Sequence, residues 1–335
     1  MVEHDLFRKP ASTLAFARAC FGIMLYAAAS FICSKAAQAQ PKKKGPAVWL
    51  DMDQAELDAA YDQSKYAPNQ ALVQARRVVL SQRARAALGE PLRFAYGSSE
   101  IEALDVYRAQ QANAPISVFI HGGAWRSGRA ADFAYLAEIF VRAGAHSVIL
   151  DFTNIDAAQG NLMIMARQVR SAVAWVYKNA ARFGGDAQRL HVCGHSSGSH
   201  LASTVVSADW QKLGLPGDLV KGALLCSGMY DLQPVRLSAR SNYVKFTDEI
   251  EEELSALRHT DRIVCPLIVA YGTCETPEFQ RQARDFAATL QAADKPHELI
   301  VGEAYNHFEM LETLANPYGL LGRAMLAQMR LPDRA

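Results

Sequence analysis

The sequence has little cysteine and almost no excess charge of either sign. Its 335 residues include six cysteines, and 35 lysine plus arginine nearly cancel 34 aspartate plus glutamate, for a formal charge of +1. Cysteine this sparse excludes a disulfide framework standing in for a core. The missing charge excess removes the field that draws a protein to nucleic acid or to an anionic membrane. Only 21% of residues are charged and 50% are hydrophobic, which excludes a disordered tail and leaves enough apolar surface to offset chain entropy. No internal repeat at a fixed period is present. Also missing are H-E-x-x-H, a paired C-x-x-C and a Gly-rich phosphate loop, so neither a metal nor a cofactor is expected.

Long apolar runs are missing as well. The most apolar stretch near the N-terminus, Ala19 to Cys33, reaches only ~22 Å as a helix against a hydrocarbon core of ~30 Å, so a stable membrane anchor is not expected. Arg8, Lys9 and Arg18 precede it and the small-residue pair Ala37 and Ala39 follows. That order is the grammar of a signal peptide over residues 1–39, cleaved before Gln40, and it predicts export to the periplasm or beyond. Glu3 and Asp5 favour the alternative, a buried N-terminal helix. Cys20 and Cys33 leave with such a leader. Cys193 and Cys226 lie in apolar runs and read as small buried hydrophobes, while a Cys265–Cys274 bridge is left open.

A basic arm and a helical segment occupy residues 40–90, with Leu57, Tyr61, Leu72, Val73, Val78, Val79, Leu80 and Leu88 spaced as in helices and Gly89 as a stop. Strand-like and helical runs then alternate through residues 91–335. Eight strands are expected, near Leu92, Ala103, Ile116, Ser147, Leu190, Ala223, Leu267 and Glu298, with helices at 132–143, 162–179, 197–207, 278–292 and 307–314. Continuous apolar runs bounded by glycine are how strands buried on both faces read, so the expected fold is α/β, a mostly parallel eight-stranded sheet flanked by helices. The longest interruption, about 229–262, carries the acidic run 248–254 and is read as a lid-like insertion.

The chemistry concentrates at two turns. Gly194-His195-Ser196-Ser197-Gly198 stands directly between the strand ending at Cys193 and the helical run from Leu201, the setting of a nucleophile elbow with Ser196 at its tip. His121-Gly122-Gly123-Ala124-Trp125 ends the strand from Ile116, and its glycines bare the N–H groups that a developing oxyanion needs. Gly122 or Gly123 and the N–H of Ser197 are the candidate oxyanion donors. Trp125, His195 and Tyr243 are candidate pocket residues, and His121 is read as structural.

A nucleophilic serine needs a base and the base an orienting carboxylate. Of nine histidines, His307 follows the last strand on a loop returning over the sheet's carboxyl edge. Glu275, on the loop after the preceding strand, is the candidate acid, and Asp231, after the strand ending at Cys226, is the alternative. Glu278 reads as a helix-dipole partner one turn further on. The order Ser196, Glu275, His307 is that of the α/β-hydrolases.

These motifs, with Phe183-Gly184-Gly185-Asp186, Thr276-Pro277-Glu278-Phe279 and Asn306-His307-Phe308, resemble the arylformamidase (kynurenine formamidase)-like carboxylesterases of the α/β-hydrolase fold, over roughly Leu50 to Leu331. The resemblance implies Ser196 as nucleophile, His307 as base, and Glu275 where relatives usually carry aspartate. It implies a serine hydrolase acting through an acyl-enzyme on a small aromatic or xenobiotic ester. The alternatives are hydrolysis of an N-formyl aromatic amide and a non-catalytic, hydrolase-like binding protein. A small-molecule ester is thus the expected partner, nucleic acid is not, and a homodimer is left open.

Overall fold

The computed structural model describes residues 44–332. The expected signal peptide and its cleavage site lie outside the described residues. In chain order the elements are α1 (Gln54–Ala60), a 3-10 turn (Gln63–Lys65), α2 (Gln70–Leu88), β1 (Leu92–Ala95), β2 (Ala103–Tyr107) and β3 (Ala114–Ile120). A 3-10 segment (Ala130–Leu136) then runs into α3 (Ala137–Ala143), followed by β4 (His146–Leu150), α4 (Leu162–Asn179), β5 (Gly185–His195), α5 (Ser197–Val206) and β6 (Gly222–Cys226). The insertion holds α6 (Gln233–Leu237) and α7 (Asp248–Leu254), and β7 (Leu267–Gly272), α8 (Pro277–Ala292), β8 (His297–Gly302), α9 (His307–Glu312) and α10 (Leu320–Gln328) complete the chain.

The eight strands form one sheet in the order β1-β2-β4-β3-β5-β6-β7-β8. The β1–β2 and β2–β4 pairs are antiparallel; from β4 across to β8 every pair is parallel. Every residue of β3, β4, β6 and β7 is buried, because helices cover both faces of the sheet. Each large aliphatic side chain so buried contributes on the order of 2 kcal/mol. Helix α4 supplies one such cover. Asn161 caps it by accepting from the N–H of Met163 at 3.0 Å, and Leu162, Met165, Ala166, Val169, Val173 and Val176 form its buried stripe.

At the antiparallel edge, β1 is short and largely exposed. Arg93 anchors it, reaching Asp105 of β2 and Asp151 beyond β4, both at 2.7 Å. The parallel strands β3, β5, β6, β7 and β8 end at one common edge of the sheet, where the loops that follow them gather. The helical segment α1–α2 belongs to the same unit as the sheet, which spans Pro46–Ala335.

In the acidic run of α7, Glu251, Glu252 and Glu253 pair with Arg236, Arg258, Arg170 and Arg262, while Ile250 and Leu254 are buried. On α2, Leu72, Val78 and Val79 are exposed, and Val73, Ser81 and Ala84 form the buried face. Cys193, Cys226, Cys265 and Cys274 are all free thiols; Cys265 is buried and Cys274 exposed, so the open bridge is not formed. Among the described residues no helix is long and apolar enough to cross a membrane.

Candidate active site

The turn between β5 and α5 is as tight as its glycines allow. A Cβ on Gly194 would stand 2.5 Å from the carbonyl oxygen of Gly198, and one on Gly198 would stand 2.1 Å from that of Ile120. Ser196, at the tip, has φ 58° and ψ −128°, a conformation that L-residues rarely adopt and that only surrounding structure can hold. Its N–H donates to Cys226 O at 2.9 Å and its carbonyl accepts from His200 N at 3.1 Å. Within residues 190–208 every residue but Ser196 is buried. The strain therefore buys nothing in packing; it lifts one hydroxyl out of the core.

The loops after β7 and β8 bring two further groups to that hydroxyl. His307 Nε2 lies 2.8 Å from Ser196 Oγ, and His307 Nδ1 lies 2.9 Å from Glu275 Oε2. Glu275 is fully buried, and its other oxygen accepts from Ser227 Oγ and from Gly272 N, both at 2.7 Å. Two donors on one oxygen fix the carboxylate and leave the other oxygen for the imidazole. The two loops are also tied to each other: Cys274 N donates to Tyr305 O and Ala304 N to Thr273 Oγ1. Asp231 is engaged elsewhere, accepting from Gln233 N and facing Arg258 at 3.4 Å. Glu278 is buried against Arg281 and Tyr61.

His307 begins α9, behind Asn306 as N-cap, which accepts from Phe308 N and Glu309 N while Glu309 reaches back to Asn306 N. His195 supports it from below, with Nε2 2.8 Å from the His307 carbonyl oxygen. Burial, and then the neighbouring His307, hold the His195 imidazole well below its ordinary pKa, so it stays neutral and donates that bond. This bracing role was not visible in the sequence.

The loop of the two glycines lies against the elbow. A Cβ on Gly122 would meet His195 O at 2.7 Å and Ser196 Cβ at 3.0 Å, and Trp125 N donates to Ser197 Oγ at 3.1 Å. Among the described residues the N–H groups of Gly122, Gly123 and Ser197 donate to no protein acceptor. His121 is buried between the rings of Phe133 and Phe152, with centroids 5.4 and 4.3 Å away.

A cavity of about 420 Å³ opens onto Ser196 and His307. His195 and the two glycines line it. Trp125 and Tyr243 do not: they stand behind Arg240, whose guanidinium lies 5.6 Å from the Trp125 ring and hydrogen-bonds Tyr243 Oη. The roof comes from the N-terminal helical segment rather than from the insertion 229–262, which sends only Arg240 to the wall. Tyr61, Asp62, Gln70, Gln74 and Arg77 all face the cavity. Sequence reasoning missed them because polar residues on a helix read as its solvent side. That segment is fastened beside both loops. Thr276, next to Glu275, accepts from Gln63 and donates to Ala60 O, and Asn69 hydrogen-bonds Asn306, next to His307. Among the described residues no group of three or more His, Cys, Asp or Glu is disposed to hold a metal ion.

The fold and the elbow define an α/β-hydrolase. The chain belongs to the BD-FAE family, whose model matches residues 104–318, more than half of the 335. It is 29% identical over 291 residues to a kynurenine formamidase of Danio rerio, covering 83% of this chain and 97% of the relative. It is 26% identical over 226 residues to esterase LipC of Mycobacterium tuberculosis, covering 61% of this chain and 55% of that one. Among solved structures, the butyrate-bound esterase Est2 of Thermogutta terrifontis superposes with a TM-score of 0.61 at 20% identity, covering 74% of this chain and 98% of that one. The chain is a hydrolase of this fold, similar to esterases and to arylformamidase-like enzymes.

Proposed function

We propose that the chain is a serine hydrolase that cleaves a small aromatic carboxylic ester through an acyl-enzyme. The observation that carries this reading is the hydrogen-bonded series Ser196, His307, Glu275, at 2.8 and 2.9 Å, opening on a cavity. His307 takes the Ser196 proton as the oxygen attacks the carbonyl carbon, and Glu275 stabilises the imidazolium so formed. The oxyanion is held by N–H groups of Ser197 and of Gly122 or Gly123, which point to no protein acceptor. Collapse of the tetrahedral intermediate expels the alcohol, which takes the proton back from His307. Water then repeats the sequence on the acyl-enzyme.

Hydrolysis of an N-formyl aromatic amide is the second reading, favoured by the likeness to the Danio rerio kynurenine formamidase over most of both chains. The same residues serve, with His307 protonating an amine leaving group. Comparing kcat/KM for an aryl acetate and an N-formyl aniline separates the two. Ser196→Ala lowers kcat about a thousandfold or more on the better substrate. Labelling of Ser196 by an aryl phosphonate accompanies activity; an active Ser196→Ala variant, or a wild-type chain that no phosphonate labels, refutes the serine mechanism.

A further inference from the structure

The helix that roofs the cavity turns a polar stripe inward beside its buried face. Gln70, Gln74 and Arg77, spaced i, i+4 and i+7, face the cavity from α2, while Leu72, Val78 and Val79 on its other sides are exposed, the last two by 49% and 46%. A helix that turns its polar stripe inward forgoes hydrophobic burial, and such departures gather at functional sites.

Every charged side chain of the wall but one has a hydrogen-bond partner within the protein. Asp62 accepts from Ser64 N and Oγ, which hold its carboxyl below the ordinary range. Asp132 accepts from Arg129 N at 2.9 Å. Arg240 donates to Tyr61 O and to Tyr243 Oη and lies over Trp125. Arg77 alone of the four makes no hydrogen bond or ion pair with any described residue, and its Nε is buried without an acceptor. Its guanidinium rests on the face of Phe133, 4.6 Å from the ring centroid, which positions the group without satisfying its donors. A planar guanidinium with open donors, partly withdrawn from water, suits a carboxylate. The rings of Phe133, Phe279 and Phe308 line the same cavity and suit an aromatic body between that carboxylate and Ser196.

We propose that Arg77 is the specificity-determining residue of this cavity, binding the carboxylate of an aromatic ester or amide whose scissile carbonyl lies at Ser196. The inference rests on the hydrolase reading above. It makes the preferred substrate an anion, although the chain itself is nearly neutral.

The test compares 4-acetoxybenzoate, 4-acetoxyphenylacetate and 3-(4-acetoxyphenyl)propanoate, each with its primary carboxamide as the neutral counterpart. At least one spacer is expected to show a carboxylate-to-carboxamide ratio in kcat/KM of about tenfold or more, carried mainly by KM. Arg77→Gln brings that ratio to about one, and Arg77→Lys keeps part of it. A merely structural Arg77 lowers both members of a pair alike and leaves the ratio unchanged, which overturns the proposal. Calorimetric titration of Ser196→Ala with 3-phenylpropanoate and 3-phenylpropanamide reads the same preference without turnover. If no acetate is hydrolysed but the carboxylate binds and Arg77→Gln abolishes binding, the hydrolase reading fails and the anion site stands. Equal binding of the two compounds, with no ratio above about two in any pair, overturns the anion site.

Discussion

Replacing Glu275 by glutamine removes one charge from the proposed relay and almost no volume. In the transition state the His307 imidazolium would face the carboxylate across 2.9 Å. At an effective dielectric of about 20 that attraction is on the order of 6 kcal/mol, or roughly four powers of ten in rate. The amide also meets a surplus of donors, since Ser227 Oγ and Gly272 N already point at the other oxygen. Turned toward Ser227 and Gly272 its NH₂ faces the Gly272 N–H; turned toward His307 it donates to Nδ1 and leaves the proton on Nε2, the tautomer that cannot take the Ser196 proton. Glu275→Gln is therefore expected to lower kcat on 4-nitrophenyl acetate by about 10³ to 10⁴ with a much smaller change in KM. The paired control is Asp231→Asn, which removes the charge from a partly buried contact with Arg258 at 3.4 Å, costs about 1 kcal/mol in stability and leaves kcat within about twofold. Initial rates are read beside thermal melts of each variant. Retention of more than about a tenth of wild-type kcat by a folded Glu275→Gln, together with collapse of Asp231→Asn, would move the acid to the loop after β6 and refute the reasoning.

Three further outcomes are expected. Gly122→Ala sets a Cβ 2.7 Å from the carbonyl of His195, so the loop must shift and kcat falls about a hundredfold or more while the melting point moves little; unchanged kcat would remove this loop from the oxyanion site. Asn69→Ala cuts the links to Asn306 and Glu309, at 2.8 and 2.6 Å, and is expected to cost about 1–2 kcal/mol and to lower kcat as well as stability, because Asn306 caps the helix that His307 begins. Stability falls on acidification through histidines that burial keeps neutral. His200 has its pKa pushed down to about 4, so below the unfolded value of about 6.5 the unfolded chain binds a proton that the native one refuses. The contribution of His200 is lost between about 6.5 and 4, on the order of 3 kcal/mol, and His200→Gln should flatten the pH dependence of the denaturation midpoint there; an unaltered slope would show that His200 titrates normally.

The sheet was legible because strands buried on both faces read as near-continuous apolar runs, as Ala223 to Cys226 and Leu267 to Tyr271 do. The placement of Ser196, Glu275 and His307 after β5, β7 and β8 followed from chain order, since parallel crossovers deliver each following loop to the same edge. Two kinds of information were hidden. The pocket expectation for Trp125 and Tyr243 followed their nearness in sequence to the glycine loop and to the insertion, and only packing shows Arg240 standing in front of both. Gln74 and Arg77 of α2 face the cavity, and a single sequence has no local signature for a polar stripe turned inward.

The attachment of the helical segment to the loops of Glu275 and His307 separates two tasks that one scaffold performs. The sheet's carboxyl edge carries the groups proposed for bond cleavage, and α1–α2 with the turn between them carries polar side chains that line the cavity beyond them. Substitutions along one inward stripe, at Gln70, Gln74 and Arg77, can therefore redirect ligand choice with the strained elbow and its hydrogen bonds left as they are. On the proposed reading, chemistry and selectivity sit on different stretches of chain, so a new preference is reachable by changing the roof alone.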